Sequence, residues 1–192
     1  MLRALRFAAR LSFRIDGETA AAIHAARTRL RAVAPERLHK ELSGILCGRQ
    51  AAALLEEFSD VLFELIPELA PCQGFRQYNP HHTRDVWTHT LAVVDGVPPE
   101  EPLRLAALLH DAGKPATFFF DKNLVGHFYG HPAAGAAVTE EVLRRLRYDR
   151  ATTEFVTQLV AVHGRPIPDD LRGMRRMLAL SLIHISEPTR RV

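Results

Sequence analysis

The stretch Leu108–Pro115 reads Leu-Leu-His-Asp-Ala-Gly-Lys-Pro and begins at the end of the apolar segment Leu103–Leu109, near the middle of the chain. The apolar segment predicts a helix, and His110 and Asp111 stand side by side at its end. An imidazole beside a carboxylate is a mixed nitrogen and oxygen donor set, which suits Zn, Mn, Fe, Ni or Mg rather than a metal selected by thiolates. The stretch therefore predicts a divalent-metal site.

A third candidate ligand, His89, lies on the helix predicted just before this segment. It falls within Asp85–Leu91, which reads Asp-Val-Trp-Thr-His-Thr-Leu. Two antiparallel helices would bring His89 beside His110 and Asp111, so the three side chains are expected to form one ligand set. Asp85 either orients His89 or caps its helix, and the sequence leaves both interpretations open.

Three further residues extend this candidate site. His131 and His163 each begin or end a later predicted helix, so they are expected to converge from the other side. A divalent ion held there would lower the pKa of a bound water and clamp a phosphate oxygen. Lys114, three residues beyond Asp111, is the candidate catalytic residue and is placed to pair with that phosphate.

Apolar periodicity is helical through most of the chain. Asp16 is expected to cap one helix, and Pro35 to occupy the first position of another. Residues 116–127 differ, because two apolar and aromatic runs flank Asp121–Asn123 and predict a short β-hairpin. The predicted helices cover residues 2–13, 16–26, 35–48, 51–65, 83–94, 100–110, 132–146, 152–162 and 169–180.

Two segments interrupt the helical pattern. Residues 66–80 hold three prolines and one glycine, which predicts a linker and a domain boundary. After Leu180, the string Ser181–Arg190 resembles translated sequencing adapter. We interpret residues 181–192 as a non-native tail and exclude them from fold prediction, the alternative being a natural C-terminal extension.

Charge is distributed unevenly along the chain. Residues 1–50 hold ten basic and four acidic residues, residues 51–143 hold five and thirteen, and residues 144–192 hold ten and five. This distribution suits a chain whose two basic ends bind a polyanion and whose acidic middle binds a cation. Solvated helix faces would give the same pattern, so charge alone leaves both interpretations open.

Length and composition set further limits. The 192 residues allow one domain or one and a half, and 47% hydrophobic with 24% charged residues excludes a disordered chain. No apolar run is long enough to span a bilayer, and the N-terminus lacks the apolar core of a signal peptide. Cys47 and Cys72 are too few for a disulfide framework, so a cytoplasmic protein without membrane association is expected.

The segments around His89 and His110, followed by Gly126–Pro132 (Gly-His-Phe-Tyr-Gly-His-Pro), form an ordered set. In this order they resemble the HD domain of bacterial class II tRNA nucleotidyltransferases, the CCA-adding enzymes and their poly(A) polymerase relatives. Leu2–Phe13 resembles the stretch that follows the nucleotide-recognition motif of that family, and Pro35–Leu42 resembles its Glu-Arg-x-x-x-Glu helix.

This resemblance, which covers about residues 1–180, implies a mainly α protein with a helical neck and body, followed by an all-α HD domain that carries one short β-hairpin. Residues 1–71 would be the neck and body, on the side that binds RNA and nucleotide, and residues 72–180 would be the HD domain. The resemblance also implies tRNA as a partner, with CTP and ATP as nucleotides of the intact parent. Divalent metals are implied twice, as Mg²⁺ in the catalytic head and as Mg²⁺, Mn²⁺, Ni²⁺ or Zn²⁺ in the HD site.

The resemblance also carries over site residues. Those that match the HD metal ligands are His89, His110 and Asp111, joined by His131 and His163 at positions that hold a second metal in some relatives. Those implied to face nucleotide or RNA backbone are Arg3, Arg6 and Arg10. Those implied to form a structural ion-pair and capping set are Glu36, Arg37 and Glu41.

The chain also departs from the family pattern. It holds no Gly-Ser followed by Asp-x-Asp, which is the metal-binding motif of the head, and the Glu-Asp-x-x-Arg motif expected just before Met1 is absent. The fourth HD ligand, an aspartate on a later helix, is expected beyond Leu180, and Gly164 stands where relatives often have Asp. We therefore expect a fragment of a CCA-adding enzyme that is inactive alone as a transferase. The alternatives are a stand-alone HD phosphohydrolase that acts on nucleotides or phosphoesters, and a helical RNA-binding module with a structural HD site.

Overall fold

A computed structural model describes residues 1–78 and 84–164. The elements up to residue 72 are α1 (Leu2–Leu11), α2 (Gly17–Ala26), a 3-10 helix (Arg27–Ala32), α3 (Pro35–Leu46), α4 (Ala51–Glu57), α5 (Ser59–Leu65) and a second 3-10 helix (Pro67–Cys72). Those that follow are α6 (Val86–Gly96), α7 (Glu101–Leu109), α8 (Lys114–Thr117), β1 (Phe119–Phe120), β2 (Gly126–His127), α9 (His131–Arg145) and α10 (Arg150–Val162). The predicted mainly α fold with one short hairpin is confirmed. The helix predicted at 169–180 and the tail at 181–192 lie outside the described residues.

Local capping explains where three helices begin. Asp16, Asp85 and Asp149 each precede a helix, and a carboxylate oxygen of each accepts the backbone N–H three residues later, at 2.9, 2.6 and 2.9 Å. These bonds satisfy amide donors that have no partner inside the first turn. The cap predicted at Asp16 is therefore confirmed. Pro35 is the first residue of α3, also as predicted.

The hairpin is held by its own turn. Phe119 pairs with His127 in the antiparallel register. Asp121 Oδ1 accepts the backbone N–H groups of Asn123 and Val125, at 2.8 and 2.9 Å. An aspartate that bonds to the backbone of its own turn stabilises a tight reversal, which is why the strands reverse at the predicted position.

Helix α7 lies at the centre of the packing. It contacts α3, α6, α9 and α10, while α1 packs on α3 and α9 packs on α10. Leu105, Leu108 and Leu109 on α7 are fully buried. Because close-packed neighbours hold the last turn of this helix, the residues that follow it have a fixed position. Among the described residues, no helix combines the length and the apolar character needed to cross a membrane.

The segment predicted as a linker is packed against the fold. Residues 67–72 form a 3-10 helix that contacts α5, α6 and α8, and its Leu69 and Cys72 are each 1% exposed. The prolines fit this short helix, so they do not mark an exposed connection. The helix predicted over residues 51–65 is also divided, because it breaks at Phe58, whose buried side chain anchors the corner between α4 and α5.

An ion pair ties this 3-10 helix to α9. Arg145 Nη1 and Nη2 donate to the two carboxylate oxygens of Glu68, at 2.6 and 2.8 Å. Burial opposes the charge on Glu68, but the hydrogen bonds from Arg145 outweigh it and lower the pKa of Glu68 below its ordinary value of 4.5. A carboxyl whose pKa is lowered by folding stabilises the protein above its unfolded pKa and loses that contribution as the pH falls.

We expect Glu68→Gln to reduce the free energy of unfolding at neutral pH by less than about 1 kcal/mol, since both side chains are partly exposed and screened by water. The difference between the two proteins should shrink as the pH falls below 4.5, where the unfolded carboxyl is protonated. Urea unfolding of both proteins across this pH range measures the effect. A difference that does not change with pH would contradict the assignment.

Candidate metal centre

Asp111 is the buried centre of the site. It follows α7 closely and is 2% exposed. Its Oδ2 lies 3.0 Å from His110 Nε2 and 3.6 Å from His89 Nε2. Its Oδ1 lies 3.6 Å from His131 Nε2 and 3.7 Å from His163 Nε2. Four imidazoles therefore surround one carboxylate, two on each oxygen.

Four helices bring these imidazoles together. His89 lies on α6, His110 follows α7, His131 begins α9 and His163 follows α10. Helix α7 contacts α6, α9 and α10, so the packing of the helical core sets the distances in the site. The structure thus brings the predicted side chains together, while their role as metal ligands stays a prediction.

Backbone carbonyls orient three of the four rings. In His110, His131 and His163, Nδ1 lies 2.6–2.8 Å from the carbonyl oxygen three residues earlier. Because a carbonyl oxygen only accepts, each Nδ1 carries a proton, and the neutral ring then presents a bare Nε2. Imidazole ligands in metal sites commonly have this arrangement, with the second nitrogen held by a backbone or carboxylate oxygen.

While its rings are neutral, the site leaves several ligand atoms without a hydrogen-bond donor. His131 Nε2 and His163 Nε2 lie 3.2 Å apart, so two neutral rings in this tautomer point their lone pairs at each other. Asp111 Oδ2 is buried and has no hydrogen bond of acceptable geometry, although Lys114 Nζ lies 2.8 Å away. A cation among these atoms would satisfy both features, so the residues fit a bound metal.

Electrostatics favour an ionised carboxylate at the centre. Burial opposes the charge of Asp111, but the imidazoles of His110 and His163 and the ammonium of Lys114 outweigh it and hold the pKa of Asp111 far below its usual range. Burial lowers the pKa of His131. For His163 burial also acts to lower the pKa, but its interaction with Asp111 prevails and raises it.

The ligand atoms fall into two groups that share Asp111. One group is His89, His110 and Asp111, and the other is Asp111, His131 and His163, with all ligand atoms of a group within 4.8 Å of one another. Each group could hold one divalent ion, and Asp111 would be a ligand in both groups.

Comparison with known families gives two matches to this chain. Residues 81–185, more than half of the chain, match the HD domain family. The chain belongs to the HD-domain family. A second match precedes the HD domain, because residues 12–72 match a family described as the probable RNA and SrmB-binding site of polymerase A.

Curated relatives resemble both parts of this HD-domain chain. A CC-adding tRNA nucleotidyltransferase of Thermus thermophilus is 37% identical over 190 residues, covering 91% of this chain and 43% of the relative. An A-adding tRNA nucleotidyltransferase of Deinococcus radiodurans is 34% identical, covering 92% and 43%. A multifunctional CCA protein of Ralstonia nicotianae is 32% identical, covering 85% and 40%. The chain thus spans about two fifths of the length of the relatives it matches.

Lys114 is held inside the HD domain, whereas the sequence led us to expect it to pair with a phosphate. It is 5% exposed, and its Nζ lies 2.8 Å from both Asp111 Oδ2 and Gln77 Oε1. Its ammonium also lies 5.4 Å from the centre of the Phe128 ring. Gln77 was not among the candidate residues, because it lies 37 residues from Lys114 and no spacing rule connects the two.

Asp85 caps α6 in the HD domain. Its Oδ1 accepts the backbone N–H of Thr88 at 2.6 Å, and its Oδ2 accepts the backbone N–H of Gly74 at 2.9 Å. Of the two interpretations left open by the sequence, the capping role is the one these bonds show.

The residues predicted on the RNA-facing side lie in different environments. Arg6 Nε donates to Glu41 Oε2 at 2.7 Å, and both side chains are mostly buried, so Arg6 joins α1 to α3. Arg3 and Arg10 are exposed and form no ion pair among the described residues. The predicted structural set is therefore regrouped: Glu41 pairs with Arg6, while Glu36 and Arg37 are exposed at the start of α3.

Proposed function

We propose that this chain is the neck and HD portion of a tRNA nucleotidyltransferase that acts on tRNA 3′ ends. The observation that carries the proposal is the order of the two family matches, an RNA-binding segment followed by an HD domain, in one chain that aligns along most of its length with three such enzymes. In the intact parent the nucleotides would be CTP and ATP, used with Mg²⁺ in the head, and the setting would be the cytoplasm. We expect no nucleotide transfer by this chain alone.

The two parts of the chain would have different roles. Residues 1–71 would form the neck and body and contact tRNA, and residues 72–180 would form the HD domain. Support comes from the excess of basic residues among the first fifty, since arginines on phosphates supply affinity that does not depend on sequence. Residues 181–192 would be a non-native tail.

A tRNA-binding measurement tests this proposal. Fluorescence anisotropy with labelled tRNA that lacks its terminal CCA should show saturable binding by the chain. We expect this binding to survive competition by unstructured RNA of equal length, because an enzyme of this class recognises the folded tRNA. Equal affinity for the two RNAs would overturn the proposal.

Two arginines on α1 should separate RNA binding from stability. We expect Arg3→Gln to weaken tRNA binding severalfold and leave the thermal midpoint unchanged, because Arg3 is exposed and forms no ion pair among the described residues. We expect Arg6→Gln to reduce the free energy of unfolding by about 1–2 kcal/mol, because it removes a charged hydrogen bond to Glu41. If the two variants exchanged these effects, the assignment of roles would be wrong.

The HD centre supports a second activity, metal-dependent hydrolysis of phosphoesters. A specific observation favours it, namely the two donor groups that share Asp111. His89, His110 and Asp111 would hold one ion, and His131 and His163 would hold another with the same carboxylate. When bound, such an ion makes water a nucleophile near neutral pH and polarises a phosphoryl oxygen.

The protein groups around this centre would act by position. The carbonyl partners of Nδ1 fix three imidazoles with Nε2 toward Asp111. Lys114 would orient the Asp111 carboxylate rather than bind phosphate, since its ammonium already lies between Asp111 and Gln77. Burial of His110, Asp111 and Lys114 excludes bulk water from one side of the site and strengthens the interactions among them.

Hydrolysis assays test the second activity. The full chain, supplied in turn with Mg²⁺, Mn²⁺, Ni²⁺ or Zn²⁺, would be incubated with 2′,3′-cyclic AMP and with p-nitrophenyl phosphate. We expect metal-dependent release of product that Asp111→Asn abolishes. Hydrolysis that persists in this variant, or none with any of the four metals, would overturn the proposal without bearing on tRNA binding.

A further inference from the structure

A cavity with three arginines lies on a part of the surface that includes no residue of the HD centre. It has a volume of about 360 Å³ and is lined by Arg10, Cys47, Gly48, Arg49, Pro99 and Arg104. These residues come from the last turn of α1, the turn between α3 and α4, the segment before α7, and α7 itself. We call this cavity the arginine pocket.

Close backbone packing fixes one wall of the arginine pocket. A Cβ at Gly48 would lie 2.4 Å from the Cβ of Ala9 and 2.7 Å from its carbonyl carbon, so only glycine allows this approach. The backbone N–H of Gln50 donates to the carbonyl of Ala9 at 3.3 Å and fastens the turn to α1. Arg10 follows Ala9 and Arg49 precedes Gln50, so this contact holds both arginines at the same cavity.

Arg104 forms the buried part of the pocket. Its side chain belongs to a residue that is 6% exposed, and its Nε donates to the carbonyl of Pro98 at 3.2 Å. Its Nη1 is buried with no hydrogen-bond partner. A guanidinium has five N–H donors, and a buried donor without a hydrogen-bond acceptor costs free energy. A ligand with acceptor oxygens would remove this cost.

No carboxylate in the described part of the chain lines the arginine pocket. Within residues 1–78 and 84–164, Arg10, Arg49 and Arg104 form no ion pair. Burial and the charge of Glu101 raise the pKa of Cys47, whereas Arg104 and Arg10 act to lower it. Glu101 Oε1 lies 3.9 Å from His39 Nε2. The three guanidinium groups that line the cavity outnumber this one acid, which leaves a net positive site.

We propose that the arginine pocket binds a phosphate group and that, in the complex with RNA, this group is a backbone phosphodiester. A phosphate is the expected ligand because a planar guanidinium can donate to two phosphate oxygens at once. A buried guanidinium also loses little side-chain freedom when it binds. The RNA clause rests on the proposed function, whereas the phosphate clause rests on the pocket alone. The site would join the neck to α7 through one phosphate.

Alkylation of Cys47 reports occupancy of the pocket without RNA. Cys47 is partly exposed and lines the cavity, whereas Cys72 is 1% exposed and serves as an internal reference. The full chain would be treated with iodoacetamide in chloride or in millimolar inorganic phosphate at equal ionic strength, and the labelled peptides quantified by mass spectrometry. We expect phosphate to slow labelling of Cys47 severalfold. In Arg10→Gln/Arg49→Gln the ratio between the two buffers should return to one.

A matched control separates the pocket from general charge. Arg144→Gln/Arg150→Gln removes two exposed positive charges on α9 and α10 and should keep the protection by phosphate. No protection in the wild type, or equal protection in the pocket variant, would overturn the proposal. Equal thermal midpoints of the variants exclude unfolding as the cause.

The RNA arm identifies the source of the phosphate. With tRNA in place of inorganic phosphate, Cys47 should again be protected, and the pocket variant should lose about one unit of the slope of log affinity against log salt. Protection by phosphate but not by bound tRNA would replace the RNA clause by a site for free phosphate or a phosphomonoester. If the chain bound no tRNA, the proposed function would fail, while the phosphate arm would still decide the pocket.

Discussion

Asp111→Asn will reduce the affinity of the chain for divalent metal by on the order of 100-fold or more, because it removes the one charged ligand that both donor groups share. The amide has nearly the same size as the carboxylate, so the change acts on charge more than on packing. Titration calorimetry with Mn²⁺, together with the metal content after dialysis, measures the loss. The expected stoichiometry falls from one or two ions per chain to none.

A histidine outside the cluster provides the matched control for this metal prediction. His127 Nε2 lies 3.0 Å from Asp121 Oδ2 in the hairpin, so it repeats the imidazole and carboxylate chemistry in an isolated pair. His127→Gln should bind as much metal as the wild type. His131→Ala should disrupt the metal-ligand group formed by Asp111, His131 and His163 and leave the group formed by His89, His110 and Asp111 intact. Equal metal content in the wild type and in Asp111→Asn would contradict the proposed centre.

Gly113→Ala is expected to destabilise the fold and disturb the site together. A Cβ at Gly113 would lie 2.4 Å from the carbonyl oxygen of His131 and 2.5 Å from the backbone nitrogen of Gly135. Both contacts are with backbone of α9, which cannot move away without shifting the His131 ring. We expect a loss of about 3 kcal/mol of unfolding free energy, the upper part of the range for overpacking. In a chain of this length that corresponds to a fall of about 6–12 °C in the thermal midpoint.

A second glycine calibrates this stability prediction. Gly96 ends α6 and has no atom within 4 Å of the place where a Cβ would lie. Gly96→Ala should therefore leave the midpoint within about 2 °C of the wild type, since surface substitutions usually change stability by less than about 0.5 kcal/mol. If Gly113→Ala melted at the same temperature as Gly96→Ala, α8 and α9 could not be packed as described.

Local features of the fold could be predicted because they depend on neighbours in sequence. The cap at Asp16 needs one N–H three residues away, and the hairpin turn needs Asp121 and the next few residues. The break at Phe58 could not be predicted, because it follows from burial of that ring in the core. The same holds for residues 67–72, where prolines suited both an exposed linker and a packed 3-10 helix.

The candidate site divides in the same way. The meeting of His89 with His110 and Asp111 follows from two adjacent helices, and the structure shows it. The contact between Lys114 and Gln77 spans 37 residues, and the pair of Arg6 with Glu41 spans 35. Such contacts depend on how the helices pack, and the periodicity of apolar residues in the sequence does not predict them. The arginine pocket was missed for that reason, since its three arginines come from segments far apart in sequence.

Anomalous X-ray diffraction from crystals of the full chain grown with Mn²⁺ tests the central claim most directly, because it locates the ion among the side chains. The proposed centre predicts a peak within bonding distance of Asp111 and of His89 and His110, or of His131 and His163, or one peak on each side of the carboxylate. Crystals with Mn²⁺ bound elsewhere, and none against Asp111, would contradict it.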